Sequence, residues 1–116
     1  MRLASGAPAE IMKALDAGAY GLICPLVNTA EQAEALVASA SYPPRGGRSF
    51  GPFRAKYYAG DGYLEHANDT IVTMAMIETS EGFQNLEAIL AVEGLDAVFV
   101  GPADLALNFG YPPGPE

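Results

Sequence analysis

Cysteine, histidine and basic residues are scarce in this chain, and each shortage narrows what the protein can be. The single cysteine, Cys24, allows no intrachain disulfide, so nothing points to a secreted disulfide scaffold. It sits in the apolar run Gly21-Leu-Ile-Cys24-Pro-Leu-Val27, where a free cysteine is ordinarily a small buried core residue. Six Lys and Arg stand against fourteen Asp and Glu, a formal net charge of −8. That balance argues against nucleic acid or an anionic membrane surface as a partner, because both require a basic footprint. No apolar stretch approaches the ~20 residues of a membrane span. No charged-then-apolar leader follows Met1, and the expected location is the cytoplasm.

What is present is apolar and orderly. Half of the 116 residues are hydrophobic, enough for one domain with a core. Three runs read as buried strands: Gly21 to Val27, Ile71 to Ile77 and Ala97 to Val100. Each is apolar almost throughout, the pattern of a parallel sheet covered on both faces. Helices fall between them. Pro8 suits a first helical position ahead of Ile11, Met12 and Leu15, and Gly18 ends that helix. Thr29-Ala-Glu-Gln32 is a capping box opening an Ala-rich helix to about Ala40. Ser80 can cap a helix with Phe83, Leu86, Ile89 and Leu90 on one face and Gly94 beyond its end. A last short helix is expected near Ala103. Strict alternation of helix and strand means an α/β fold.

Residues 42–68 break this rhythm, with prolines, glycines, arginines and aromatics in no clear period. The stretch is expected to be a long irregular connection within a single domain spanning residues 1–116. Because it leads from a helix into a strand, it belongs at the face opposite a barrel's catalytic mouth. That favours subunit contact or closure of the barrel bottom over a catalytic lid.

Two strand ends carry carboxylates. One run finishes Met74-Ala-Met-Ile-Glu78-Thr-Ser80, and another Phe99-Val-Gly-Pro-Ala-Asp104-Leu105. An apolar strand ending in an acid and followed by a helix is how parallel α/β folds present catalytic groups. Carboxylates brought within about 4 Å repel by roughly 4 kcal/mol at an effective dielectric near 20, a cost removed by a shared cation or proton. All-oxygen ligation with open positions suits Mg²⁺ or Mn²⁺. Taken singly, Glu78 reads first as a plain strand-end acid and Asp104 as a helix cap; taken together, with Gly101-Pro102 just before the second, the pattern favours metal binding.

These residues resemble the HpcH/HpaI aldolase family. Besides Ile77-Glu78-Thr79 and Gly101-Pro-Ala-Asp104-Leu105, the resemblance includes Asp16-Ala-Gly18, Pro25-Leu-Val-Asn-Thr-Ala-Glu31, Tyr42-Pro-Pro44 and Val92-Glu-Gly-Leu-Asp96. It implies a (β/α)8 TIM barrel of which this chain holds a part, from the end of strand three through strand six, incomplete at both ends. It implies a lyase activity, divalent-metal-dependent cleavage of 4-hydroxy-2-oxo acids to pyruvate and an aldehyde. The metal would be Mg or Mn, with Co a further candidate, held by Glu78 and Asp104. Backbone amides around Ala103 and Asp104 would receive the substrate carboxylate. Arg2 would stabilise charge on the enolate oxygen, against its plainer reading as a basic terminus. Asp16 matches an aspartate that the family pairs with its catalytic histidine. It could act only across a subunit interface, in a homo-oligomer; otherwise it is a helix-end surface acid.

Departures from the family pattern stand beside these matches. The family's histidine falls on a strand earlier than that of Arg2, and His66 matches a variable, solvated position. Met76 stands where the commonest pattern has Gln, and a thioether cannot replace an amide's hydrogen bonds. Two other readings remain open: a citrate-lyase-type acyl-CoA lyase, and a truncated non-catalytic product or metal-binding module. The chain by itself is expected to be poorly stable and inactive, since a partial barrel exposes apolar faces and strand edges. A purified monomer that turns over substrate would contradict this.

Overall fold

The structure is a computed structural model that describes residues 1–51 and 54–114. Three strands, β1 (Gly21–Cys24), β2 (Val72–Ile77) and β3 (Ala97–Val100), form a parallel sheet in the order β1-β2-β3. Ahead of β1 the chain makes one more parallel bridge, Arg2 to Ile23, with Leu3 N–H donating to Ile23 O at 2.9 Å. The expected α/β fold with a parallel sheet is therefore present.

The crossovers carry the helices. In α1 (Pro8–Asp16), Pro8 occupies the first turn and Ile11, Ala14 and Leu15 are buried; Gly18, at φ 104°, takes the left-handed turn beyond its end. In α2 (Ala30–Ala40) both halves of the Thr29/Gln32 capping box form, and Ala33, Leu36 and Ala40 are buried. A continuous core runs from Leu3, Ile11 and Leu15 through Leu22, Leu36, Ala75 and Ile77 to Ile89. It fills the space between the helices and one face of the sheet.

Three expectations need correction. The connection over residues 42–68 is not irregular throughout: it contains α3 (Arg54–Ala59), and α4 (Tyr63–Thr70) begins within it. Each buries a single alanine among the described residues, Ala55 and Ala67, so neither has an apolar stripe for a period to reveal. The helix after β2 is capped by Thr79, whose hydroxyl accepts from Gly82 N–H at 3.0 Å, rather than by Ser80. It is divided at Asn85 into α5 (Ser80–Gln84) and α6 (Leu86–Leu90); of the expected apolar face, Phe83 and Leu90 are exposed and Ile89 alone is fully buried. Finally, β1 stops at Cys24 instead of running to Val27, because Pro25 has no N–H to donate and Leu26 turns to φ 56°.

At the N-terminal end of the strands the long connection is tied back onto the helices. Arg48, 1% exposed, pairs with Asp16 at 2.8 Å, donates to the Tyr63 hydroxyl at 2.8 Å, and lies over the Tyr42 ring at 4.4 Å. Its Nε is buried without a partner among the described residues, a cost set against the two bonds its other nitrogens make. Asn68 clasps the start of the connection, accepting from Tyr42 N–H at 2.7 Å and donating to Tyr42 O at 3.0 Å. Breaking a buried ion pair from one side strands the other charge. Arg48→Ala should therefore lower the unfolding free energy by about 3 kcal/mol in urea denaturation. A loss below about 1 kcal/mol would place the pair with ordinary surface bridges.

Candidate metal centre

The site lies at the opposite end, where the strands finish. Side chains alternate across a strand, and residues paired in a parallel register share a face. Arg2, Ile23, Met74 and Ala97 form one such row. The alternation continues through Met76 to Glu78, so Arg2 and Glu78 belong to the face turned away from the core. Register also sets the neighbours of Glu78. Ile77 pairs with Val100, and Gly101 N–H donates to Ile77 O at 3.0 Å, which brings Gly101 beside Glu78.

Glu78 is 3% exposed, and no Lys, Arg or His forms an ion pair with it among the described residues. Its Oε1 accepts the Leu26 N–H at 2.8 Å. Its other oxygen, Oε2, lies 3.2 Å from where a Cβ on Gly101 would stand, and its own Cβ only 2.9 Å from that point. The carboxylate thus sits in a cradle that a single added methyl would fill. Burying a carboxylate without a counter-charge is costly, and a cation supplied from outside the polypeptide removes that cost. The donor set fits a hard divalent cation: one buried carboxylate, with a second acid on the adjoining turn.

That second acid, Asp104, is in the first turn of α7 (Pro102–Asn108) and is exposed. The first intrahelical bond is Leu105 N–H to Gly101 O at 3.0 Å. The amides of Ala103 and Asp104 therefore belong to the unfilled donors of a helix start. Asn108 joins the two acidic segments, donating to Asp104 O at 3.3 Å and Glu78 O at 3.5 Å. Among the described residues, no group of three or more His, Cys, Asp or Glu side chains stands together. A two-carboxylate centre leaves its remaining positions to water or substrate.

The turn after β1 braces the turn after β2. The Thr79 hydroxyl donates to Asn28 Oδ1, Asn85 Nδ2 donates to Asn28 O at 2.8 Å, and Gln32 Oε1 accepts from Asn28 N–H at 2.6 Å. Neither Leu26 nor Asn28 stood out as a site residue in the sequence; only their place in Pro25-Leu-Val-Asn28 marked them. Cys24, 2% exposed, ends β1 nearby. Burial pushes its thiol above the ordinary range, and the negative charge of Glu78 adds to the push. It stays protonated at neutral pH and behaves as the core residue expected.

The remaining expected residues fall elsewhere. Arg2 is exposed and forms no ion pair among the described residues. Asp16 is at the other end of the strands, with Oδ1 held by Arg48. His66 is exposed on α4. Met76 is buried under Gly101, its Cγ 3.6 Å from the added Cβ position.

Comparison with known proteins shows the family of the chain. The HpcH/HpaI aldolase/citrate lyase family matches residues 1–116. The chain belongs to that family. It is 54% identical over 106 residues to a hydroxypyruvate/pyruvate aldolase of Rhizorhabdus wittichii, covering 91% of this chain and 42% of that protein. It is 43% identical over 115 residues to a 2-keto-3-deoxy-L-rhamnonate aldolase of Salmonella gallinarum, covering 97% and 43%. The fold superposes on an HpcH/HpaI aldolase/citrate lyase family protein from Burkholderia cenocepacia with a TM-score of 0.88 and 32% identity, covering 97% of this chain and 46% of that one. It also superposes on the citrate synthase SbnG, with a TM-score of 0.82 and 39% identity over 96% and 42%. The chain spans less than half the length of the curated relatives it matches.

The cradle yields a direct test. In Gly101→Ala the new methyl meets Glu78 Cβ, and overpacking of this kind costs about 1–3 kcal/mol. Thermal denaturation should show the loss, whereas an unchanged midpoint would mean that Glu78 is not confined there.

Proposed function

We propose that this chain forms part of a (β/α)8 barrel, from the end of strand three through strand six, and carries the metal-holding carboxylates of a class II aldolase. The observation that carries this reading is the buried carboxylate of Glu78, without an ion-pair partner among the described residues and cradled between Leu26 and Gly101, with Asp104 on the next turn. The relatives named as aldolases support it, and so does the exposure of Val72, Phe99 and Val100 on a sheet that further strands could cover. Self-association of barrels into a homo-oligomer belongs to the same proposal.

The substrate would be a 4-hydroxy-2-oxo acid. When bound, a divalent cation (Mg²⁺ or Mn²⁺, with Co²⁺ a further candidate) supplies Lewis acidity toward the 2-oxo group. Glu78 and Asp104 would hold it. The amides of Ala103 and Asp104 would donate to the substrate carboxylate, setting its orientation at the helix start. As the C3–C4 bond breaks, its electron pair places negative charge on the 2-oxo oxygen, and the 4-hydroxyl gives up its proton as the aldehyde leaves. Arg2, on the same sheet face as Glu78, would stabilise that charge with its guanidinium. Protonation at C3 then gives pyruvate. Asp16 would serve the proton transfer in a neighbouring subunit by orienting that subunit's histidine. With Oδ1 committed to Arg48, Oδ2 is the oxygen it could offer.

The test uses the polypeptide encoded by the complete reading frame around this segment. With Mn²⁺ and a 4-hydroxy-2-oxo acid it should release pyruvate, followed through NADH oxidation by lactate dehydrogenase. Glu78→Ala should abolish both Mn²⁺ binding and pyruvate release. Mn²⁺ binding retained in that variant would sink the metal assignment. Turnover of an acyl-CoA thioester instead would move the protein to the citrate-lyase-type branch.

A further inference from the structure

Leu26 has a backbone conformation that its side chain disfavours. Its φ of 56° lies in the left-handed region, where a non-glycine residue other than Asn or Asp is uncommon and costs about 1–2 kcal/mol. The side chain offers no compensation, since it is 58% exposed although its neighbours Pro25 and Val27 are buried. What the conformation does accomplish is visible in the hydrogen bonds. β1 ends at Cys24, Pro25 has no N–H, and Val27 N–H rejoins the ladder by donating to Met76 O at 3.3 Å. Between these two, the Leu26 amide is taken out of the strand ladder and donates to Glu78 Oε1 at 2.8 Å. The adjoining network of Asn28, Thr79, Asn85 and Gln32 holds the turn in that shape.

We propose that the Leu26 backbone amide is a positioning group for the metal-holding carboxylate: it occupies Oε1 of Glu78 and leaves Oε2 as the ligating oxygen. The inference rests on the reading of Glu78 as a metal ligand. The bond is charge-assisted and part-buried, so it limits rotation of the carboxylate, and Gly101, having no Cβ, leaves the side of Oε2 open. Glu78 therefore binds through one oxygen, with the second held by the protein. Leu26 acts through Glu78 and needs no contact with substrate. Its side-chain identity is secondary, because the N–H and the left-handed turn do the positioning.

The experiment is Mn²⁺ titration of the complete polypeptide, with free Mn²⁺ read by electron paramagnetic resonance and folding checked by circular dichroism. Replacing Leu26 by its α-hydroxy acid through nonsense suppression turns the amide into an ester. That removes the N–H while keeping side chain and shape. Loss of an outer partner of this kind weakens metal binding by about 10- to 100-fold, and that is the shift expected here. Leu26→Gly keeps the N–H and favours the left-handed turn, so it should bind within about twofold of the parent. An ester variant that binds Mn²⁺ as tightly as the parent, while Glu78→Ala does not bind, would overturn the positioning role and leave the metal reading intact. Binding that persists in Glu78→Ala would overturn both. An equal loss in Leu26→Gly, which keeps the N–H, and in the ester, which lacks it, would show that binding does not depend on that hydrogen bond and would also end the proposal.

Discussion

Everything at the candidate centre depends on the register of three parallel strands. Pairing Cys24 with Ala75 and Ile77 with Val100 makes β1, β2 and β3 run out into neighbouring turns. Those turns bring Leu26, Glu78 and Gly101 together from three separate stretches of chain. A slip of one residue would exchange the faces of every side chain in the strand that moved. Glu78 would then point into the helix layer, where Ala75 and Ile77 now pack against Leu22 and Ile89. The apolar core is what forbids that slip, so the position of the carboxylate is enforced by burial on the other face of the sheet.

The two ends of the strands divide the work of the fold. At the N-terminal end, Arg48 with Asp16, Tyr42 and Tyr63 anchors a long connection that buries little apolar surface of its own. Its buried charge pair and rings compensate for a weak hydrophobic contribution. At the C-terminal end the chain accepts a left-handed leucine and a buried acid that has no ion-pair partner among the described residues. Local strain of that kind persists only where surrounding structure over-determines it. The Asn28–Thr79–Asn85 network and the Glu78–Gly101 contact provide that over-determination.

Legibility followed how local each cause is. The Thr29/Gln32 capping box, Pro8 in the first turn of α1 and Gly18 beyond its end act over a few residues, and all were readable. The three apolar runs marked the strands because each is a short, continuous stretch of Ile, Val, Leu, Met or Phe between turn signals. α3 and α4 were missed because each buries one alanine and shows no stripe. The division at Asn85 was missed because its cause, a bond from Nδ2 to Asn28 O, comes from a segment remote in sequence. At the site, Glu78 and Asp104 were marked by their place after apolar runs. Leu26 carried no mark, since a left-handed turn is ordinarily announced by Gly or Asn and here occurs at leucine.

By itself, the sequence determined the alternating α/β order, the acidic character, the strand ends that carry carboxylates and the family resemblance. These follow from composition and short-range periodicity, which act before any long-range contact exists. Tertiary structure alone decided that Arg48 would pair with Asp16, that Leu26 would give its amide to Glu78, and that Gly101 would leave room for that carboxylate. Each of those contacts joins residues brought together by sheet register and core packing, and no local preference of the chain encodes them.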